Sequence, residues 1–177
     1  IAMNIKALGG RSALVAAVGR DRLGDFLKKT IDERGLKDGL IQEKNASTSM
    51  VLVNKTQGTP LPIFYRGADF QIDYTDELKN LVSNSKILHF SSWPISQPHS
   101  RATIEKMIQQ AKQEGILVSF DPNYHPDIWE EGHDGIAYIK QLLKDIDIIK
   151  PSEDDAERIF GPDTVDNQLQ KFLDLGA

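Results

Sequence analysis

A chain of 177 residues, 40% hydrophobic and 27% charged, has the length of one ordinary domain and the composition of a globular protein with a proper core. Its net charge of −5, with no run of lysines or arginines, argues against a nucleic-acid surface, and no apolar stretch reaches the roughly 20 residues that span a bilayer. There is no cysteine, so disulfides and thiolate metal sites are excluded, and no charged-then-apolar leader pattern opens the chain, which makes a cytoplasmic location the expectation.

Taken in chain order, Ile1, Ile5 and Leu8 have helical spacing, with Gly9-Gly10 as a stop. No capping residue precedes this helix, and it reads as cut into. Ala13 to Val18 is an apolar run of strand length ending at Gly19, and Leu23, Phe26, Leu27 and Ile31 then repeat at helical spacing until Gly35. From about Lys37 to Asp69 there is no helical period. Thr48 to Val53 and Pro62 to Arg66 are strand-like, with Gln57-Gly58 as the turn between them, so residues 37–69 read as a small β lid projecting from the main sheet.

Regular alternation then resumes. Thr75 caps a helix through Leu78, Leu81 and Val82, and Lys86 to Phe90 is a strand. Ile104, Met107, Ile108 and Ala111 form an amphipathic stripe closed by Gly115, and Ile116 to Phe120 is the next strand. A helix through Ile136, Ile139, Leu142 and Leu143, a strand over Ile146 to Ile149, and helices from Ser152 to Phe160 and through Leu169, Phe172 and Leu173 complete the series. Strands alternating with helices predict an α/β fold, with residues 13–18, 86–90, 116–120 and 146–149 in one mainly parallel sheet covered on both faces. The last helix, closed by Gly176, leads to no further strand, and the chain reads as truncated at both ends.

Three phrases carry the chemistry. Val18-Gly19-Arg20-Asp21-Arg22-Leu23-Gly24 has the G-x-x-x-x-G spacing of a phosphate loop, but Asp25 stands where its lysine would be. A tight strand-to-helix turn in which Gly24 permits close packing is the alternative. Phe64-Tyr65-Arg66-Gly67-Ala68-Asp69 offers an arginine fork beside an aromatic ring, which suits a polar small molecule or a solvated strand edge. In Phe120-Asp121-Pro122-Asn123-Tyr124 the proline ends the ladder and turns polar side chains out at the C-terminal end of a strand, where α/β sheets bind ligands; Asx-turns are the other use of Asp121 and Asn123. A fourth phrase, Lys150-Pro151-Ser152-Glu153-Asp154-Asp155, is a capping box with acids in the first helical turn. The four histidines form no metal-ligand set, and no direct metal site is expected.

Together these phrases resemble the ribokinase, or PfkB, family of carbohydrate kinases, of which residues 1–177 would be a middle piece. The resemblance implies a ribokinase-like three-layer α/β/α core with a β lid, and transfer of the γ-phosphate of ATP, with Mg2+, to a sugar hydroxyl. Fructose or 2-keto-3-deoxygluconate is favoured, with ribose or a nucleoside as alternatives. It places Tyr65 and Arg66 over the sugar from the lid, and Asp121 and Asn123 at the substrate. His125 stands where the family phrase F-D-P-N-x-R has arginine, and Trp129 matches the tryptophan that often follows. Ser152 and Asp155 fall on the asparagine and glutamate of the family's N-x-x-E segment, so Asn123, His125, Ser152 and Asp155 are expected near nucleotide and magnesium. No G-A-G-D segment, the family's catalytic base and anion hole, occurs in the sequence, so no catalytic residue is expected within it and the piece alone should be inactive. A homodimer through the lid is a further expectation. The rival readings are a non-catalytic ligand-binding or regulatory protein on the same fold and a nucleotide-binding oxidoreductase domain, the latter without its G-x-G-x-x-G.

Overall fold

The short apolar run Val15–Gly19 (β1) pairs in parallel with Leu40–Lys44 (β2) in a computed structural model that describes residues 1–54 and 61–176. Between these strands runs α2 (Arg22–Glu33), whose first turn is closed by Asp21 accepting the Gly24 N–H. Gly24 is required here: a Cβ would stand 2.2 Å from the Gly19 carbonyl oxygen. The turn is therefore tight for packing reasons, as one of the two sequence readings has it.

Residues 1–78 form one unit. It opens with α1 (Ala2–Ala7), which buries none of its residues, so the stripe of Ile1, Ile5 and Leu8 lies at the surface. Met50–Asn54 (β3) and Leu61–Tyr65 (β4) make an antiparallel ladder with Met50 opposite Tyr65. The Gln57-Gly58 turn lies outside the described residues. The stretch 37–69 is thus not uniform. Its first strand, β2, belongs with β1, and only β3 and β4 form a separate hairpin. A helix, α3 (Asp76–Ser83), follows, with the Thr75 hydroxyl accepting the Leu78 N–H at 3.3 Å.

Residues 79–177 form the second unit. Ile87–Ser91 (β5), Leu117–Asp121 (β6) and Ile148–Ile149 (β7) are parallel, in the order β5-β6-β7. Its helices are α4 (Ser92–Ile95), α5 (Pro98–Glu114), α6 (Gly135–Leu142), α7 (Glu153–Phe160) and α8 (Val165–Asp174). Proline at the start of α5 costs no hydrogen bond, and Gly115, at φ +70°, ends the helix in the left-handed region that favours glycine. Ile104, Met107, Ile108 and Ala111 are all buried on the face that the periodicity marks. Leu88, Phe90, Val118 and Phe120 point to one face of the sheet, with the Phe90 and Phe120 rings 5.2 Å apart.

One expectation needs correction. The four apolar runs do not share one ladder among the described residues: β1 has β2 as its hydrogen-bonded partner, and the other three runs form their own sheet. Strand residues alternate in and out, and Ile87, His89, Leu117 and Ile148 are exposed on the face opposite Phe120.

Candidate functional site

Parallel strands end at one edge of their sheet, so β5, β6 and β7 deliver Ser91-Ser92, Asp121 to Tyr124 and Lys150 to Ser152 to the same place. Backbone bonds tie these segments together. The Ser92 N–H donates to the Pro122 carbonyl at 3.3 Å and the Lys150 N–H to the Phe120 carbonyl at 3.0 Å. The Lys150 ammonium lies 3.1 Å from the Asp121 carboxylate, on the rim of this edge. Asn123 follows Pro122 with φ +36°, the one left-handed non-glycine among the described residues, and it is exposed. A strained residue presented at a strand end is a common property of ligand sites.

The helix that faces this edge is α7. Its capping box is complete: the Ser152 hydroxyl accepts the Asp155 N–H at 3.1 Å, and the Asp155 Oδ2 accepts the Ser152 N–H at 3.1 Å and its hydroxyl at 2.6 Å. The other Asp155 oxygen, Oδ1, accepts the Tyr124 N–H at 2.6 Å. One turn on, Arg158 Nη1 donates to the Tyr124 carbonyl at 2.9 Å. The Tyr124 ring is buried and lies 6.1 Å from Trp129. His125 acts as a cap, its Nδ1 accepting the Asp127 N–H at 3.2 Å. Beyond it Trp129 stacks on His133 at 5.5 Å and faces the Arg101 guanidinium at 5.8 Å, which fixes the far end of the segment.

Magnesium, implied by the resemblance, does not fit these residues as a direct ligand set. Among the described residues no three His, Asp or Glu side chains converge. Asp155, the carboxylate expected nearest to it, is 4% exposed and already accepts three hydrogen bonds. A carboxylate has about four acceptor positions, so little capacity is left.

The other expected contacts belong to the first unit. Tyr65 closes β4 with its side chain exposed. Arg66 donates from Nε at 2.9 Å and Nη2 at 2.5 Å to the Asp69 Oδ2, with both side chains largely buried. Asp69 also accepts from the Ser49 hydroxyl and, at 3.2 Å, from the Gly67 N–H. Burial pushes the Asp69 carboxyl up, but the bonds from Arg66 and Ser49 outweigh it and hold it below its usual 3.8. Gly67 crosses the Ser47 carbonyl so closely that a Cβ would stand 2.2 Å from its oxygen. The base of the hairpin is fixed by Asp21, which accepts the Thr48 N–H and hydroxyl, each at 2.7 Å. These two donors and the Gly24 N–H hold the Asp21 carboxyl below its usual 3.8.

The structure therefore brings Asp121, Asn123, Ser152 and Asp155 to one sheet edge, with His125 two residues on, pairs Arg66 with Asp69, and leaves Tyr65 exposed at the end of β4. Sequence reasoning missed Arg158 and Thr48. The spacing of Arg158 three residues after Asp155, on one helix face, was the available signal; Thr48 reads only as a strand residue.

Comparison with known proteins gives the cluster its setting. The family model described as pfkB family carbohydrate kinase matches residues 1–176. The chain is 58% identical over 177 residues to an ATP-dependent 6-phosphofructokinase of Thermoanaerobacterium thermosaccharolyticum, covering 100% of this chain and 55% of that protein. It is 29% identical to fructokinase-2 of Solanum habrochaites, over 98% and 54% of the two chains. Among solved structures, Halothermothrix orenii fructokinase superimposes with a TM-score of 0.92 at 32% identity, over 99% of this chain and 63% of that one. Xylella fastidiosa fructokinase with bound ATP gives 0.84 at 25%, over 98% and 55%. The chain spans about half the length of the curated relatives it matches. The ribokinase-like α/β fold is the one these structures share with it, and over nearly its whole length the chain belongs to the pfkB family of carbohydrate kinases.

Proposed function

We propose that the full-length protein containing this chain is an ATP-dependent kinase that phosphorylates a hydroxyl of a fructose-type sugar. The observation that carries this is the coincidence of the family match over residues 1–176 with a polar cluster at the C-terminal edge of β5-β6-β7. Asp121 and Asn123 bind the sugar there, and Asn123, His125, Ser152 and Asp155 border the nucleotide. Tyr65 and Arg66, at the end of β4, contact the sugar in the same reading. The donor is MgATP. A homodimer through the β3-β4 hairpin is part of the proposal, and the exposed Met50, Leu52 and Ile63 on one face of the ladder support it. Among the described residues no helix is long and apolar enough to cross a membrane, and the protein works in the cytoplasm.

A second reading concerns the acceptor. The relative at 58% identity is a 6-phosphofructokinase, which favours fructose 6-phosphate over free fructose. A coupled ADP-release assay on the full-length protein with fructose, fructose 6-phosphate, ribose and 2-keto-3-deoxygluconate separates these. Turnover with one of the first two is expected. Sugar binding without ADP release would support a non-catalytic ligand-binding protein instead. The 177-residue chain alone releases no ADP, because it has no G-A-G-D base or anion hole.

A further inference from the structure

Asp155 stands on the family position expected beside magnesium, yet its hydrogen bonds point to a different duty. The backbone on each side of the Asn123 Cα is held. On one side, the Pro122 carbonyl accepts the Ser92 N–H at 3.3 Å. On the other, the Tyr124 N–H donates to Asp155 Oδ1 at 2.6 Å. These two peptides set the torsions of Asn123, which at φ +36° is in a region that most L side chains avoid and that asparagine enters more readily than others. The next carbonyl, that of Tyr124, is gripped by Arg158 at 2.9 Å. Asp155 is kept in place by its own cap, since its Oδ2 accepts both the N–H and the hydroxyl of Ser152. The carboxylate is buried and engaged on both oxygens.

We propose that Asp155 is a positioning residue: it clamps the Tyr124 peptide so that Asn123 keeps its left-handed conformation at the end of β6, and it is not a group reserved for a metal-bound water. Its effect on turnover rests on the kinase reading above, but the clamp itself does not. Arg158 is the second jaw. Glutamate at position 155 keeps the charge, the affinity for cations and the chemistry of the capping box, but its extra methylene carries the carboxylate past the Tyr124 N–H.

The test uses the full-length protein and the variants D155N, D155E, R158M and N123G. Amide hydrogen exchange at Tyr124 reads the clamp directly and needs no activity. Losing a hydrogen bond to a charged acceptor should speed exchange about ten- to a hundredfold in D155N and D155E. With MgATP and sugar, both variants should lose activity by a similar factor, with the half-saturating magnesium concentration unchanged. D155N added to N123G should cost much less than in the parent, because the two act through one residue. R158M should show a smaller acceleration at Tyr124, and it decides the matter if the Asp155 variants do not fold. The proposal is overturned if Tyr124 exchange is unaltered in the variants, or if D155E is fully active while D155N needs more magnesium. If the unaltered protein phosphorylates no sugar but D155N still frees the Tyr124 amide, the kinase reading fails and the clamp stands.

Discussion

Replacing Thr48 with valine tests how the hairpin is joined to the β1-α2 turn. The hydroxyl accepts the buried Gly19 N–H at 2.9 Å and donates to Asp21 Oδ1 at 2.7 Å. Valine fills almost the same space but can do neither. The Gly19 N–H loses its acceptor in a buried setting, which costs about 1–3 kcal/mol. The lost bond to Asp21 adds little, since that carboxylate is near solvent and keeps the N–H donors of Gly24 and Thr48. For a chain of this size each kcal/mol moves the melting midpoint by about 2–4 °C, so T48V should melt about 2–12 °C lower. T48S keeps the hydroxyl and should recover most of the loss. In T48V the Asp21 carboxyl should also titrate nearer its ordinary value, readable by NMR. A T48V protein melting together with the parent, with Asp21 unmoved, would refute this account of the turn.

Three further predictions follow from other parts of the molecule. In the full-length kinase, R66A should raise the KM for sugar about ten- to a hundredfold while leaving that for ATP nearly unchanged, since a directed charge-assisted contact is lost; equal sugar kinetics would confine Arg66 to its pair with Asp69. Lys171, Asn167 and the Thr164 N–H hold the Asp163 carboxyl at about 2, below its ordinary 3.8. A lowered carboxyl stabilises the fold above its unfolded value and loses that contribution as the pH falls through the folded one. D163N should therefore melt below the parent at pH 6, with the gap closing between about pH 4 and pH 2; a gap constant with pH contradicts the assignment. The exposed Ile87, Leu117 and Ile148 form an apolar face on β5-β6-β7, and the 177-residue chain alone should self-associate through it. Light scattering should show I87K/L117K shifted towards monomer, and an unchanged mass would place the contact elsewhere.

Much of the second unit was legible because its residues obey one period at a time. Ile104, Met107, Ile108 and Ala111 mark α5 without ambiguity, and Gly115 marks its end. The capping box at Ser152 and Asp155 was equally plain, since the N-cap chemistry lies within four residues. β2 was not seen as a partner of β1: Leu-Ile-Gln-Glu-Lys is half polar, and parallel pairing is a long-range fact. At the site, the exposed strand-end residues could be named from Pro122, but the use of Asp155 could not. A carboxylate that holds a peptide and one that faces an ion have the same local spacing, and only the partners tell them apart.

The central claim is phosphoryl transfer to a fructose-type sugar by the full-length protein, and 31P NMR reads it directly. With MgATP and either fructose or fructose 6-phosphate, the γ-phosphate signal should decay in step with a growing sugar phosphate ester, and no inorganic phosphate should accumulate. Unchanged ATP with both sugars, or hydrolysis to inorganic phosphate without an ester, would contradict the account.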